Sequence, residues 1–387
     1  MKFKNNILIL TSITTDRSAI KAIEAQFKRF HQNFNVIVID EVEYGAQKLA
    51  ERRASTHEKF MQTIPTLYRK AKSIKSGFSR TPISLSERRS LSRKLRGTAK
   101  RIYNAIIRFS PDVVLATTSK TMHEAVAAKR RSNFKFPIVG LMNRFTVDRS
   151  FYSAYADGYI VENLDMKNKL TSMGFPSNKI FVLGMPISEN MPGVEYVVKK
   201  KSHLGLNMNP TVYLYGGKVG SREMLPVFEL LLDQGDVINI IADCGRNRNL
   251  HIAILKMIDE RKSQNVKVYL NTDGESENTL IAADCVMTVF DAELIYRSFL
   301  LNIPVIAYAP DNASEEADLK YLEEKKLIYY AHDYNFAIIG MYKIIQTNLA
   351  KQLVESASVR TSPTALAEIC NTLANFSIKT KEDIDEI

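Results

Sequence analysis

Short apolar runs alternate with amphipathic stretches along most of the chain. Asn6 to Ser12 reads as a first strand. The polar turn Thr14-Thr15-Asp16 follows, then a helix with Ala19, Ile23 and Phe27 on one face, and Phe34 to Ile39 is a second strand. An apolar run, a helical period and another apolar run form the βαβ pattern of a parallel sheet. The pattern resumes with strands at Asp112–Ala116, Pro137–Met142, Gly158–Val161 and Ile180–Leu183. Helices at Thr121–Arg131 and Leu164–Met173 lie between them, the second stopped by Gly174.

The stretch from Pro186 to Pro210 carries Pro192, Gly193, the basic run Lys199-Lys200-Lys201 and Asn209-Pro210, and reads as a linker. The βα count then restarts. Thr211 to Ser221 (TVYLYGGKVGS) is a buried strand running into a glycine turn, with a helix expected from about Arg222. Such a junction lets backbone approach a ligand and offers helix N–H groups to an anion. Strands follow at Val237–Ala242, Val266–Leu270, Cys285–Val289 and Pro304–Tyr308. Helices are expected at Leu225–Leu232, Asn249–Arg261, Glu277–Ala283, from Phe290 to near Asn302, and at Leu319–Glu324, with only helix beyond. The fold class is therefore α/β, with two doubly wound, Rossmann-like domains. The expected division is 1–187, a linker at 188–210, 211–345, and C-terminal helices at 346–387 that pack back on the first domain. In such sheets ligands bind at the carboxyl ends of the strands, here in an expected cleft between the two domains.

A length of 387 residues suits two domains. No apolar run is long enough to span a bilayer, and the N-terminus lacks the small-residue cleavage site of a signal peptide. Cys244, Cys285 and Cys370 are odd in number and without metal spacing, which suits buried thiols in a reducing cytosol. The six histidines show no metal spacing either. His123 and His251 fall in helical stretches. A formal charge of +11 calls for an anionic partner.

The charge is concentrated between 68 and 101, where about a dozen Lys and Arg face one acid, Glu87. Leu85, Leu91, Leu95, Ile102 and Ile106 recur there at helical spacing. A basic amphipathic helix of this kind attaches to anionic membrane, each basic residue contributing roughly 1 kcal/mol. Arg88, Arg89, Arg93, Lys94 and Arg96 would make that contact. The alternative is a solvated helix whose apolar stripe packs on its own domain. Nucleic acid is not the expected partner, since no aromatic platform is interleaved with the charge. A nicotinamide enzyme is disfavoured because no G-x-G-x-x-G follows either first strand.

Several stretches in order carry a family likeness: Ser110–Val114, Met173–Ile187 (MGFPSNKIFVLGMPI), His203–Gly217, Cys244–Asn247 (CGRN) and Tyr308–Leu322. Through them the chain resembles the monogalactosyldiacylglycerol synthase and processive diacylglycerol glucosyltransferase family, from about Asn6 to about Leu327. The resemblance implies a GT-B fold of two Rossmann-like domains. It also implies inverting transfer of a sugar from a UDP-sugar to a membrane diacylglycerol, or to a membrane-linked glycan. The nucleotide sugar is substrate and no cofactor is implied. The expected location is the cytoplasmic face of the cell membrane, peripherally bound.

The resemblance places Gly216, Gly217, Gly245, Arg246 and Asn247 near the donor diphosphate or base, and Glu315 and Glu316 near ribose or sugar hydroxyls. Asp16 and Asp148 are the candidate bases for the acceptor hydroxyl, although Asp16 equally suits a helix N-cap. Other positions depart from the family pattern. Thr118-Ser119 replaces a histidine–proline pair, and Arg144 and Asp148 replace an aspartate and a histidine. Phe290-Asp291-Ala292 replaces a proline–glycine–glycine turn, and Arg297 an acidic residue. Asp291 would either meet a sugar hydroxyl or cap the next helix. These departures support a second reading, a non-catalytic subunit acting beside an active protein partner. A nucleotide-sugar epimerase, which shares the architecture, is a third.

Overall fold

The computed structural model describes residues 5–11, 13–40, 100, 102–132, 135–187, 201–270 and 279–385, with backbone alone at 13–17 and 379–385. The chain divides into two compact units. Among the described residues, unit 1 takes 5–187 and 362–385, and unit 2 takes 201–361.

Unit 1 is built on six parallel strands: β1 (Asn5–Thr11), β2 (Phe34–Asp40), β3 (Val113–Ala116), β4 (Ile138–Leu141), β5 (Gly158–Val161) and β6 (Ile180–Val182). Their order across the sheet is β2-β1-β3-β4-β5-β6. In register, Ile7 of β1 lies opposite Val36 on one side and Val113 on the other. Alternate side chains of β1 enter different cores. Leu8 and Leu10 pack with Val114, Ala116, Met122 and Leu170, whereas Ile7 and Ile9 pack with Ile23, Phe27, Ile369 and Leu373. Burial on both faces explains why β1 reads as a nearly unbroken apolar run. Helices α1 (Ile13–Phe30), α2 (Ser119–Lys129) and α3 (Leu164–Ser172) connect the strands.

Unit 2 has strands β7 (Thr211–Tyr215), β8 (Asn239–Asp243), β9 (Val266–Tyr269), β10 (Cys285–Val289), β11 (Val305–Tyr308) and β12 (Tyr329–Ala331). They are parallel, in the order β12-β11-β10-β7-β8-β9. The helices are α4 (Met224–Leu232), α5 (Arg248–Arg261), α6 (Ala292–Leu300), α7 (Ala313–Glu324), α8 (Tyr334–Gln346) and α9 (Leu349–Ser358). From β7 the chain winds outward through β8 and β9, then returns to build β10, β11 and β12 on the other side. The direction therefore reverses between β7 and β10. At such a switch point the loops leave the strand ends in opposite directions and open a crevice.

Three details differ from the sequence reading. Beyond Leu327 the chain is not wholly helical, because Tyr329–Ala331 adds an edge strand opposite Ile306–Tyr308. Three residues are too few for a period-2 pattern to show. The C-terminal helices divide between the units: α9 belongs to unit 2, and only α10 (Ala365–Asp385) packs on unit 1, through Ile369 and Leu373. The end of the expected linker is structural. Lys201, 8% exposed, pairs with Asp284 at 2.6 Å, and the same carboxylate oxygen accepts from the Thr211 N–H at 2.7 Å. That arrangement ties residue 201 to the entry of β7.

The basic residues Arg88, Arg89, Arg93, Lys94 and Arg96 lie outside the described residues. The last two members of the apolar stripe, Ile102 and Ile106, are described. Both are buried in the core of unit 1 on a helix over 102–109, so this end of the stripe packs on its own unit. Among the described residues no helix is long and apolar enough to cross a membrane.

Candidate functional site

The switch point of unit 2 brings together the turn after β7 and the turn after β8. The Gly216 N–H donates to the Asp243 carbonyl at 2.9 Å, and the chain folds back so that the Ser221 N–H reaches the Gly216 carbonyl at 2.6 Å. Gly217 and Gly220 stand at φ +82° and +85°, conformations that exclude most side chains. The second turn fits against the first with backbone touching backbone. A Cβ on Gly245 (φ +53°) would lie 2.2 Å from the Gly217 carbonyl oxygen, and one on Gly220 would lie 2.1 Å from that of Cys244. Two interlocked turns of this kind need glycine on both sides.

Polar groups fix the interlock. The Arg246 N–H donates to the Lys218 carbonyl at 3.3 Å, and Arg246 is exposed. The fully buried Asp243 carboxylate accepts from the Tyr213 hydroxyl and from the Gly245 N–H, each at 2.8 Å. Burial next to Asp243 pushes the Cys244 thiol up to about 12, so it is not a nucleophile near neutral pH. Burial, then Asp291 and Asp243, push the Tyr215 phenol well above its ordinary value and keep it neutral.

The anion cradle expected from a strand–glycine–helix junction is modified. Helix α4 starts only at Met224, and the residue before it is Glu223, a 7% exposed carboxylate that accepts from the Tyr334 hydroxyl. A carboxylate at that helix start disfavours phosphate there. The glycine turn and its partner turn therefore lie ahead of the helix start, separated from it by Arg222 and Glu223.

The remaining donor-side candidates fall into distinct roles. Asn247 is 2% exposed: its amide donates to the Gly220 carbonyl at 2.8 Å and its oxygen caps α5 at the Leu250 N–H. Both bonds serve to build the turn. Asp291 caps α6 through the Leu294 N–H at 2.9 Å, the second of its two expected roles. Glu315 holds the turn before α7, accepting from the Asp311 N–H at 2.7 Å and the Asn312 amide at 2.5 Å. Glu316 pairs with Lys320 one turn along the same helix at 2.7 Å. A bridge missing from the sequence reading crosses the switch point: Lys218 Nζ meets Glu293 Oε2 at 2.8 Å. Nothing in the sequence signals it, since the partners are 75 residues apart.

In unit 1, Asp16 lies within the first turn of α1, which begins at Ile13, so it is not the N-cap residue. Asp148 caps a single turn at Arg149–Phe151, accepting from the Ser150 N–H at 2.9 Å and the Ser150 hydroxyl at 2.5 Å. His123 Nε2 contacts the Ser150 carbonyl at 2.8 Å and so ties α2 to the same turn. Thr118 forms a reciprocal cap with Thr121 at the start of α2. At the switch point of this sheet, between β1 and β3, the Thr117 hydroxyl donates to that of Thr11 at 3.0 Å. Among the described residues no group of His, Cys, Asp or Glu is placed to hold a metal.

Residues 16–187 match a family model. The match is to monogalactosyldiacylglycerol (MGDG) synthase. A processive diacylglycerol beta-glucosyltransferase of Staphylococcus saprophyticus is 21% identical over 283 residues, 71% of this chain and 70% of that protein. The resemblance read from the sequence is thus borne out. Among solved structures, Acinetobacter baumannii MurG superposes with a TM-score of 0.63 at 11% identity, covering 96% of this chain and 99% of that one. A Neisseria meningitidis UDP-GlcNAc 2-epimerase bound to UDP-GlcNAc gives 0.58 at 13% identity, covering 97% and 100%. At these identities the likeness establishes the fold, and it is the expected GT-B class of two Rossmann-like units.

Proposed function

We propose that this MGDG synthase-like chain is an inverting glycosyltransferase that moves a sugar from a UDP-sugar to a membrane lipid such as diacylglycerol, or to a membrane-linked glycan. The observation that carries the donor half is the interlock of the 216–221 and 244–247 turns at the switch point of unit 2. Its glycines allow backbone to approach a diphosphate, and the exposed guanidinium of Arg246 adds charge that can neutralise the leaving group. The family match and the diacylglycerol glucosyltransferase name of the staphylococcal relative support the acceptor half.

In the proposed reaction a carboxylate takes the proton of the acceptor hydroxyl. The oxygen attacks the anomeric carbon opposite the diphosphate, the bond from that carbon to the diphosphate oxygen breaks, and UDP leaves with its electron pair. Asp148 and Asp16 are the candidate bases. Asp148 is held in place by the Ser150 N–H and hydroxyl. The protein would work peripherally on the cytoplasmic face, its basic segment against anionic lipid.

A second reading, a non-catalytic subunit beside an active partner, draws on Asp291 and Glu315: both carboxylates are engaged in capping turns. The epimerase reading rests only on shared architecture. The three separate in one assay. Purified full-length protein with UDP-glucose or UDP-galactose and diacylglycerol vesicles should release UDP and form glycolipid. Absence of UDP release with any common donor and acceptor, from protein that binds UDP, would favour the subunit. Conversion of a free UDP-sugar to its epimer would favour the third reading.

A further inference from the structure

The bridge between Lys218 and Glu293 spans the same crevice. Lys218 belongs to the glycine turn after β7, and Glu293 to the first turn of α6 after β10. These are the two elements on either side of the switch point. At its other end Lys218 is anchored by backbone, its carbonyl accepting from the Arg246 N–H. The side chain therefore closes a link between the interlocked turns and α6. Gly217 lies against the same strand end, since a Cβ there would stand 3.2 Å from Val289 Cγ2.

The two partners are not equally held. Glu293 has a second cation in reach, Arg297 one turn along α6 at 4.0 Å, and its side chain is 11% exposed. The Lys218 side chain is 33% exposed and sits on a flexible four-carbon stem. Lys218 is therefore a cation that an incoming diphosphate can recruit beside the exposed Arg246, once Glu293 gives it up. Replacing a carboxylate by a phosphate oxygen on an ammonium exchanges one charge-assisted bond for another, so it requires no unpaired charge.

We propose that Lys218 is a diphosphate-binding residue that Glu293 holds in reserve: in the empty protein the bridge closes the switch point, and a nucleotide diphosphate displaces Glu293, which falls back on Arg297. The proposal rests on the donor reading above and adds to it the residue that senses the phosphates. Glu293 is then a gate acting through Lys218, and it makes no contact with the nucleotide.

The test is a double-mutant cycle read by calorimetry with UDP, on the full chain, in K218M, E293Q and the combined variant, each checked for a native melting transition. E293Q is expected to tighten UDP and K218M to weaken it, each by roughly tenfold, the size of one charge-assisted bond. In the K218M background E293Q should change nothing, because the gate acts only through the lysine. Equal tightening by E293Q in both backgrounds would mean direct repulsion and would overturn the proposal, as would an E293Q affinity equal to or weaker than the parent's. UDP binding that K218M leaves unchanged overturns it while the donor reading stands. Binding by none of the four proteins overturns both.

Discussion

The side-chain amide of Asn247 donates to the Gly220 carbonyl at 2.8 Å while its oxygen caps the helix that follows. One residue thus joins the turn after β7 to the turn after β8 and starts α5 at the same time. Replacing it with alanine removes both bonds from a buried site and should lower stability by about 1–2 kcal/mol. Thermal unfolding of N247A checks this, and UDP affinity should fall in parallel because the turns lose their tie.

The glycines of the interlock should be less tolerant. G245A places a methyl group against the Gly217 carbonyl at a left-handed φ, and G220A does the same against Cys244. Each should cost about 1–3 kcal/mol in chemical denaturation, more than alanine at an ordinary loop position.

Asp291 distinguishes two roles by the sign of an effect. As a cap, its loss in D291A should lower stability by about 1 kcal/mol and leave UDP-sugar affinity unchanged or improved, since a carboxylate near the phosphates has gone. A contact with a sugar hydroxyl would instead make D291A weaken UDP-sugar more than UDP. Titrating both ligands against the variant separates the outcomes.

Cys244 and Cys285 set an alkaline limit. Burial raises both thiols from an ordinary value near 9 to about 12. Between those values the unfolded chain has lost the protons that the folded chain keeps. Their contribution is therefore complete below about pH 9 and is lost as pH rises towards 12. Denaturant midpoints should fall across that window, and C244A/C285A protein should show a shallower fall. Thiol alkylation at pH 8 should be slow until the protein unfolds.

Strands were the most legible part of the chain. Cys285–Val289 and Gly158–Val161 were read to the residue, because strands buried on both faces leave an unbroken apolar run between turn signals. The site was legible only in its glycines, which record where backbone must approach backbone. Its carboxylates were not, because a capping aspartate such as Asp291 and a ligand-binding one have the same sequence signature, and only the Leu294 N–H at 2.9 Å distinguishes them. Lys201 shows the same limit: it ends a basic run suggestive of a linker, yet its ammonium is buried against Asp284. Long-range ion pairs leave no periodic trace.

The central claim is that the interlocked turns of unit 2 grip a nucleotide diphosphate. Amide hydrogen exchange of the full chain, followed by mass spectrometry with and without saturating UDP, reads this most directly. Slowed exchange at 216–221 and 244–247, absent or weaker in K218M, is the predicted result. Unchanged exchange in both turns at a UDP concentration shown to bind, or protection confined to unit 1, would contradict it.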